Sequence, residues 1–395
     1  MLPLLEGIRI IEIGAVVLGP YAGQMLADLG AEVIKVEPLE GDIARHAHPA
    51  GPGGGALFLN NNRNKRMLAL DLKAPGGRAA LAKLITSSDV LFHNMRIDAA
   101  ERLGLGFEAV AAINPAIIHC AAIGFGQAGR YRDRPAFDDI IQAASGIAGL
   151  GATGGGDPRF VPTILADKVA ALHAVYAILA ALVARARGRA GAIKIEVPMF
   201  EALASFMLNE HLAGATFAED GAVGYPRILS PNRRPFRTAD GWIAVLPYTD
   251  RQWRAFLAEV GREDVAREPW FDDPRERPAH IDELYALVAK RLPERTTEAW
   301  LAALGARDIP CSQVPDLQAL LHDPHLAEIG FFDVAPGYAD GIARNLPQPV
   351  LFEGITGTPD VAPRGLGADS RALLRECGYS DSEIDALIEA GVAAA

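Results

Sequence analysis

Acidic residues at the starts of two helical stretches in this chain have the residue type and the setting for covalent chemistry. Asp167 stands at the start of a long apolar, alanine-rich stretch, and Asp138 and Asp139 open an earlier helical stretch. A carboxylate in the first turn of a helix is stabilised by free backbone N–H groups and by the helix dipole, so each can simply cap its own helix. The same setting can also present a desolvated carboxylate as a nucleophile. From the residues alone, capping is the simpler interpretation.

Other reactive groupings have less support. His46 and His48 form a His-x-His pair of the kind that can ligate a metal, but no companion set of Cys, His or Glu has suitable spacing, so we expect no metal. A G-x-S-x-G hydrolase turn is absent, because Ala143 precedes Ser145 where the first glycine should stand. The glycine run 154–156 ahead of Asp167 fits either a lid or a plain connection.

The first 73 residues contain the elements that would position such groups. A β-branched strand at 8–13 is followed by Gly14, Gly19 and a helix at 20–29, and then by a second strand at 32–37. A dinucleotide fold would place G-x-G-x-x-G at the first turn, and the spacing from Gly14 to Gly19 does not fit it. A basic turn at 60–66 leads to a third strand. The unit therefore indicates a nucleotide-bearing ligand other than NAD.

Strands and helices alternate as far as about residue 198, which predicts a parallel sheet with crossover helices. We expect strands at 8–13, 32–37, 67–72, 89–93, 116–123 and 193–198, and helices at 20–29, 76–87, 98–103, 107–112, 138–149, 164–186 and 199–212. Because helix 164–186 is apolar on nearly every face, it should be fully buried. A smaller α+β domain follows at 240–335, and the chain ends in a short helix with a capping box, Ser380-x-x-Glu383.

Composition narrows the functional class. The chain has 395 residues, a net charge of -11 and 50% hydrophobic residues, which argues against nucleic-acid binding. The cysteines are sparse and unpaired by spacing, which favours a reducing, cytoplasmic setting; they are Cys120, Cys311 and Cys377. We expect no signal peptide and no membrane association, since the apolar run 169–183 is short for a membrane span.

Taken together, an ordered set of motifs resembles the class III CoA-transferase family, of the formyl-CoA transferase and carnitine CoA-transferase type. The motifs are Gly19-Pro20-Tyr21-Ala22, the run 26–37, Gly41-Asp42, Asn62-Arg63-Asn64-Lys65-Arg66, Leu70-Asp71-Leu72-Lys73, Asn94, Arg102-Leu103-Gly104, the run 124–129, Gln142-Ala143-Ala144-Ser145-Gly146 and Asp167. The resemblance implies a Rossmann-like large domain made of both chain ends, a small α+β domain, and an interlocked homodimer. We place the large domain at 1–212 and 336–395, a linker at 213–239 and the small domain at 240–335.

The resemblance also implies roles for particular residues. Asp167 falls on the catalytic aspartate, and the other matching positions bind the acyl-CoA. They are Val16, Val17 and Leu18 at the thioester loop; Leu70, Leu72 and Lys73 at a nucleotide-binding strand end; Asn94 and Met95 at a pantetheine or adenine contact; Arg102 at a phosphate; and Phe137 and Asp138 beside the thioester.

The chain departs from the family pattern at three of its positions. Pro38 stands where many members have an arginine, so a phosphate contact is lost or moves, for example to Arg45. Val17 replaces a glutamine that can polarise the acyl group. The racemases of the family carry a histidine where this chain has Phe137. One aspartate cannot serve both faces of an α-carbon, so this difference favours transfer over racemisation.

The sequence therefore predicts a CoA-transferase that moves CoA from an acyl-CoA donor to a free carboxylic acid through an aspartyl mixed anhydride and an aspartyl-CoA thioester. Coenzyme A is the co-substrate and no metal is required. The alternatives are an α-methylacyl-CoA racemase or epimerase, an NAD-dependent oxidoreductase, and a non-catalytic CoA-binding protein. An arginine cluster in the linker fits either a dicarboxylate site or a solvated basic loop; it comprises Arg227, Arg233, Arg234 and Arg237.

Overall fold

The computed structural model describes residues 1–152, 156–273, 275–334, 338 and 341–395. Gly154 and Gly155 of the glycine run, and residues 335–337 at the predicted end of the small domain, lie outside the described residues. The chain forms two compact units. The first comprises Met1–Ala148, Phe160–Met207 and Gly330–Ala395, and the second comprises Gly149–Arg159 and Leu208–Ile329. The first unit thus includes both chain ends, and the predicted linker and small domain fall within the second unit except at their C-terminal edge.

Strands and helices alternate through the first unit. The strands are β1 (Arg9–Ile13), β2 (Glu32–Glu37), β3 (Ala50–Gly51), β4 (Gly54–Gly55), β5 (Lys65–Leu70), β6 (Val90–His93), β7 (Ile118–Ile123) and β8 (Ile193–Pro198). The helices are α1 (Leu18–Asp28), α2 (Ala56–Leu59), α3 (Pro75–Thr86), α4 (Ile97–Arg102), α5 (Phe107–Ile113), α6 (Asp138–Ala144), α7 (Ile147–Leu150), α8 (Leu165–Ala186) and α9 (Met199–His211), with a 3₁₀ turn at Ile43–His46.

The central sheet has seven strands in the order β12-β5-β2-β1-β6-β7-β8. Six of them are parallel, and β12 (Ala393–Ala394) pairs antiparallel with β5 at one edge. Counted along the chain, the parallel strands have the order 3-2-1-4-5-6, which is that of a doubly wound nucleotide-binding fold. The predicted α/β fold with a parallel sheet is confirmed.

Helices cover both faces of the sheet because successive residues of a strand point to opposite faces. Ile10 of β1 packs with α1 and α8 on one face, whereas Ile11 packs with α3 and α5 on the other. The last helices, α16 (Ser370–Glu376) and α17 (Asp381–Glu389), join the second face. The predicted capping box of α17, between Ser380 and Glu383, is present.

The second unit is built on a small antiparallel sheet. Its strands pair in the order β11-β10-β9, and a separate hydrophobic core joins the sheet to the helices. The strands are β9 (Phe236–Arg237), β10 (Trp242–Val245) and β11 (Cys311–Gln313); the helices are α10 (Pro226–Leu229), α11 (Asp250–Glu259), α12 (Ile281–Arg291), α13 (Thr297–Gly305), α14 (Leu317–Leu320) and α15 (Pro324–Glu328). Short 3₁₀ turns occupy Ala213–Thr216, Val265–Arg267, Arg277–His280 and Leu292–Glu294.

Within the single chain, the long helix α8 is not fully buried, contrary to the prediction. Its alanine-rich side packs on α1 and the sheet, but Leu172, Tyr176 and Val183 are 52%, 60% and 50% exposed. The sequence cannot show this because apolar residues occupy every face of the helix, so periodicity does not identify the outer one. By length and composition α8 could cross a membrane, a test that core helices of globular proteins also pass.

Candidate active site

A cavity of about 930 Å³ lies in the first unit, along the carboxyl ends of the parallel strands. Chain connections leave β1 and β6 in opposite directions across the sheet, and ligands of doubly wound folds bind in the crevice at that switch point. Gly14 follows β1 and Asn94 follows β6, and both line the cavity. The strand order therefore places the cavity where a nucleotide-bearing ligand is expected.

The loop between β1 and α1 forms one wall of the cavity. Gly14 and Gly19 approach each other so closely that a Cβ atom on either would lie 2.9 Å from the Cα of the other. Asn94 fixes the loop in both directions, since its Oδ1 accepts from the N–H of Ala15 at 3.0 Å and its Nδ2 donates to the carbonyl of Ala15 at 3.1 Å. The glycine spacing thus permits a tight strand-to-helix turn rather than a pyrophosphate contact.

Asp167 lies in the cavity wall on the first turn of α8. Its side chain does not cap α8, because the N-cap residue is Ile164 and the cap has no side-chain hydrogen bond. The backbone N–H of Leu18 lies near enough to the Asp167 carboxyl to favour its ionised form. Burial, and then the charge of Asp138, raise the pKa of Asp167 to about 6, although the Leu18 N–H opposes this shift. Asp167 is thus an acid of the first turn of α8, as the sequence predicts, although it is not the N-cap residue.

Asp138 connects two helices rather than capping α6. The N-cap of α6 is Phe137, which makes no side-chain cap, and Asp138 accepts from the backbone N–H of Asp167 at 3.1 Å. Its other oxygen accepts from Nε2 of Gln142 at 2.6 Å, and Oε1 of Gln142 accepts from the N–H of Val161 at 2.9 Å. This chain of bonds fixes the entry to α8, and hence the position of Asp167.

Most residues predicted to bind acyl-CoA line this one cavity. They are Val16, Leu18, Leu70, Leu72, Lys73, Asn94, Met95 and Phe137, together with Asp167. Val17, Arg102 and Asp138 are not among its lining residues. Arg102 is exposed and pairs with Asp98 at 2.9 Å, so its phosphate contact stays a prediction.

The structure adds three arginines that the sequence did not single out. Arg96, Arg132 and Arg134 line the cavity with Lys73. Arg96 is the N-cap of α4 and directly follows the Asn94-Met95 pair, so its place after a strand end was a usable signal. Arg45 does not take the place of the missing arginine at Pro38: it is buried, pairs with Glu37 at 2.7 Å and stacks 3.8 Å from the Phe58 ring centroid.

Neither a metal cluster nor a histidine in the cavity lining is found in the described part of the chain. No group of three or more His, Cys, Asp or Glu residues there is placed to hold a metal ion. The residues that line the cavity include no histidine, and Phe137 lines it while 78% exposed.

Comparison with known proteins gives the family. The sequence model described as CoA-transferase family III matches residues 5–370. The chain belongs to CoA-transferase family III. Curated relatives within this family include a succinate–glutarate CoA-transferase of Agrobacterium fabrum, 30% identical over 83% of this chain and 84% of that protein. An acetyl-CoA:oxalate CoA-transferase of Acetobacter aceti is 31% identical over 82% of this chain and 83% of that protein.

Solved structures agree with this assignment. A CaiB/BaiF family protein from Brucella suis has a TM-score of 0.80 and 27% identity, and covers 95% of this chain and 100% of its own. A hypothetical protein from Mycobacterium tuberculosis has a TM-score of 0.82 and 26% identity, and the match covers 94% of this chain and 99% of that protein's chain. The protein is thus a class III CoA-transferase with the α/β fold of its family, and neither the racemase nor the oxidoreductase alternative is favoured.

Proposed function

We propose that this CoA-transferase exchanges CoA between an acyl-CoA donor and a free carboxylic acid, with Asp167 as the covalent nucleophile. The observation that carries the proposal is the half-buried Asp167 carboxyl in the cavity wall, whose pKa is raised to about 6 by burial and by the charge of Asp138. A carboxylate with this pKa is about nine-tenths ionised at pH 7, and its partial desolvation favours attack.

The reaction proceeds through Asp167 in balanced steps. Its carboxylate oxygen attacks the donor thioester carbonyl, the C–S bond breaks, and CoA thiolate leaves a mixed anhydride. The thiolate then attacks the Asp167 carbonyl, forming an aspartyl-CoA thioester and releasing the donor as a carboxylate. The acceptor carboxylate attacks this thioester to give a new anhydride, and the thiolate attacks the acceptor acyl carbon, which regenerates Asp167. The acyl group stays activated as an anhydride or a thioester in every intermediate, so the reaction requires no ATP.

The cavity walls suit the parts of CoA. Lys73 and Arg96 are exposed at the carboxyl ends of β5 and β6, and Arg134 supplies a further cation. Since the whole chain carries a charge of -11, these local cations must hold the phosphates. Leu72 and Met95 offer apolar surface for the pantetheine arm or the adenine.

The acids themselves are proposed from the relatives. Two relatives are named for succinate, glutarate and oxalate, so dicarboxylates belong in the first panel of acceptors.

Two arginines of the cluster in the second unit already contact aromatic rings. The guanidinium carbon of Arg227 lies 4.5 Å from the Tyr248 ring centroid, and that of Arg237 lies 5.2 Å from the Trp242 centroid.

We also propose a homodimer. The exposed side chains of Leu172, Tyr176 and Val183 form an apolar stripe on α8, which a second copy of the chain would cover. An interlocked dimer should persist on dilution, so light scattering at nanomolar concentration should give the dimer mass. A folded monomer under these conditions would contradict the proposal.

A single assay tests the reaction. The protein is incubated with succinyl-CoA and a panel of acids, without ATP, and new thioesters are detected by mass spectrometry. Hydroxylamine should trap a hydroxamate on Asp167 during turnover, and Asp167→Asn should abolish both transfer and trapping. Asp139→Asn changes an exposed carboxylate of α6 and is the matched control. An active, untrappable Asp167→Asn protein would refute the mechanism.

A second assay separates transfer from racemisation. A chiral 2-methylacyl-CoA is incubated in deuterium oxide without an acceptor acid. We expect no deuterium at the α-carbon, because Phe137 cannot exchange a proton on the second face. Rapid incorporation that depends on Asp167 would favour the racemase.

A further inference from the structure

Val16 holds an unusual backbone conformation in the cavity wall. Its φ is 67°, in the left-handed region that a β-branched residue rarely enters. Such residues persist only where the surrounding structure holds them, and they cluster at functional sites. The residues that hold Val16 therefore merit identification.

Asp42 is the residue that holds Val16. The N–H of Val16 donates to both carboxylate oxygens of Asp42, at 3.1 and 3.2 Å. Asp42 is only 3% exposed, and it also accepts from the Ala44 N–H at 3.0 Å and pairs with Nζ of Lys35 at 3.0 Å. Lys35 is fully buried and donates to the carbonyl of Gly14 at 2.6 Å. One ion pair thus holds the loop at two of its residues.

The loop in turn sets the direction of the first N–H group of α1. Helix α1 begins at Leu18, two residues after Val16. Leu18 and Asp167 both line the cavity, and the Leu18 N–H favours the ionised form of the Asp167 carboxyl. We propose that Asp42 is a positioning residue for CoA transfer: it holds Val16 in the left-handed conformation and thereby aims the Leu18 N–H at the Asp167 carboxyl. The catalytic consequence rests on the proposed role of Asp167 as nucleophile.

A carboxylate is the side chain that this position requires. Asp42 receives three donors, namely the Val16 N–H, the Ala44 N–H and the Lys35 ammonium. Asparagine has the same shape but one acceptor oxygen, so its NH₂ group must face one of these donors. If the asparagine oxygen faces the Val16 and Ala44 N–H groups, its NH₂ group must face the Lys35 ammonium. Asp42→Asn therefore removes the ion pair that fixes the side chain against Val16, without creating a cavity.

The test compares two buried ion pairs. Asp28 is also buried and pairs with Arg63, at the far end of α1. Asp28→Asn therefore matches Asp42→Asn in chemistry and burial but does not touch the loop. Hydrogen exchange is followed on a peptide covering residues 14–18, together with steady-state transfer kinetics.

For Asp42→Asn we expect hydrogen exchange at residues 14–18 to accelerate about tenfold or more. We expect kcat to fall about tenfold or more and KM to change by less than about threefold, because misplacement of a reacting group acts mainly on the chemical step. Asp28→Asn should leave exchange at 14–18 and kcat near the wild-type values. Unchanged exchange in Asp42→Asn, equal acceleration in both variants, or an unchanged kcat would each overturn the proposal.

Two further measurements keep the test decisive. If Asp42→Asn does not fold, the Val16→Gly/Asp42→Asn protein should fold, because glycine adopts a positive φ without strain and no longer needs the hold. Failure of this double variant to fold as well would overturn the proposal. If the wild type transfers CoA to no acid, the proposed function fails. In that case a ¹³C NMR titration of Asp167 decides the role of Asp42, since loss of the Leu18 N–H must raise its pKa and an unchanged pKa overturns the role.

Discussion

Replacing Asp167 with asparagine should abolish transfer and at the same time stabilise the folded protein. The pKa of Asp167 rises from a usual value of 3.8 to about 6, chiefly because of burial. Each pKa unit corresponds to about 1.36 kcal/mol, so ionising this side chain costs the folded state about 3 kcal/mol. Because the carboxyl is only half-buried, solvent screening makes this figure an upper bound.

The sign of the pH dependence follows from linkage. The folded-state pKa of Asp167 is raised above its unfolded value, so the folded protein binds the proton more tightly. Its contribution to stability is present below about pH 4, is lost as pH rises through about 6, and is constant above that. Asparagine does not titrate. The stability advantage of Asp167→Asn should therefore grow between pH 4 and 6, by at most about 1.4 kcal/mol per pH unit.

Urea unfolding at pH 4.5 and pH 7.5, at one fixed protein concentration, measures this difference. The free energy of unfolding of Asp167→Asn, relative to that of the wild type, should be larger at pH 7.5 than at pH 4.5. The relative value for Asp139→Asn should not change, since Asp139 is exposed on α6. The reasoning is refuted if the difference between Asp167→Asn and wild type is the same at both pH values, or if the variant is less stable at pH 7.5.

Three further predictions concern the same cavity. The transfer rate should rise with pH through a midpoint near 6, the pKa of Asp167. Asp138→Asn should lower that midpoint by about one unit because it removes a like charge. An unchanged midpoint in the pH profile of kcat would count against assigning the midpoint to Asp167. Lys73→Ala and Arg96→Ala should each weaken CoA binding about tenfold or more by calorimetry, since a charge-assisted phosphate contact contributes about 1.5–3 kcal/mol. The control Arg262→Ala, in the second unit, should have no effect. Equal losses of affinity in all three variants would contradict the placement of the CoA phosphates at Lys73 and Arg96. Gln142→Ala should reduce kcat about tenfold with little change in folding, because it frees the segment ahead of α8; an unchanged kcat would show that the bond to Asp138 is not needed.

The sequence predicted the parallel sheet well because its strands are short β-branched runs bounded by glycine and polar turns. Strand β5 was the main displacement, since it occupies Lys65–Leu70 rather than 67–72. The reason is pairing: Lys65 already lies opposite Val33 of β2, and its buried ammonium donates to Pro20 and Asn61 carbonyls. A charged residue at a strand start carries no strand signal of its own.

Tertiary contacts account for the features that the sequence did not predict. Strand β12 consists of two alanines, which have no strand propensity and pair only because α17 returns the chain to β5. Of the two cations predicted to bind CoA, Lys73 lines the cavity and Arg102 does not, whereas Arg96, which was not predicted, lines it. Since α4 begins at Ile97 and a helix rises about 1.5 Å per residue, Arg102 lies about 9 Å beyond Arg96 along the helix axis.

The energetic costs of this fold concentrate around Asp167. Burial disfavours the ionised form of the Asp167 carboxyl, and Val16, which lines the same cavity, holds a backbone conformation that its β-branched side chain disfavours. Beneath the loop, Glu12 is fully buried between Lys35 and Lys65, with oxygen–nitrogen distances of 3.2 and 2.7 Å. Buried ion pairs of this kind add little net stability, because desolvation offsets their attraction. They do, however, fix geometry, since a buried charge that moves away from its partner is left unpaired. The Glu12–Lys35 pair fixes the ammonium that donates to the Gly14 carbonyl. It therefore helps to hold the loop that contains the strained Val16.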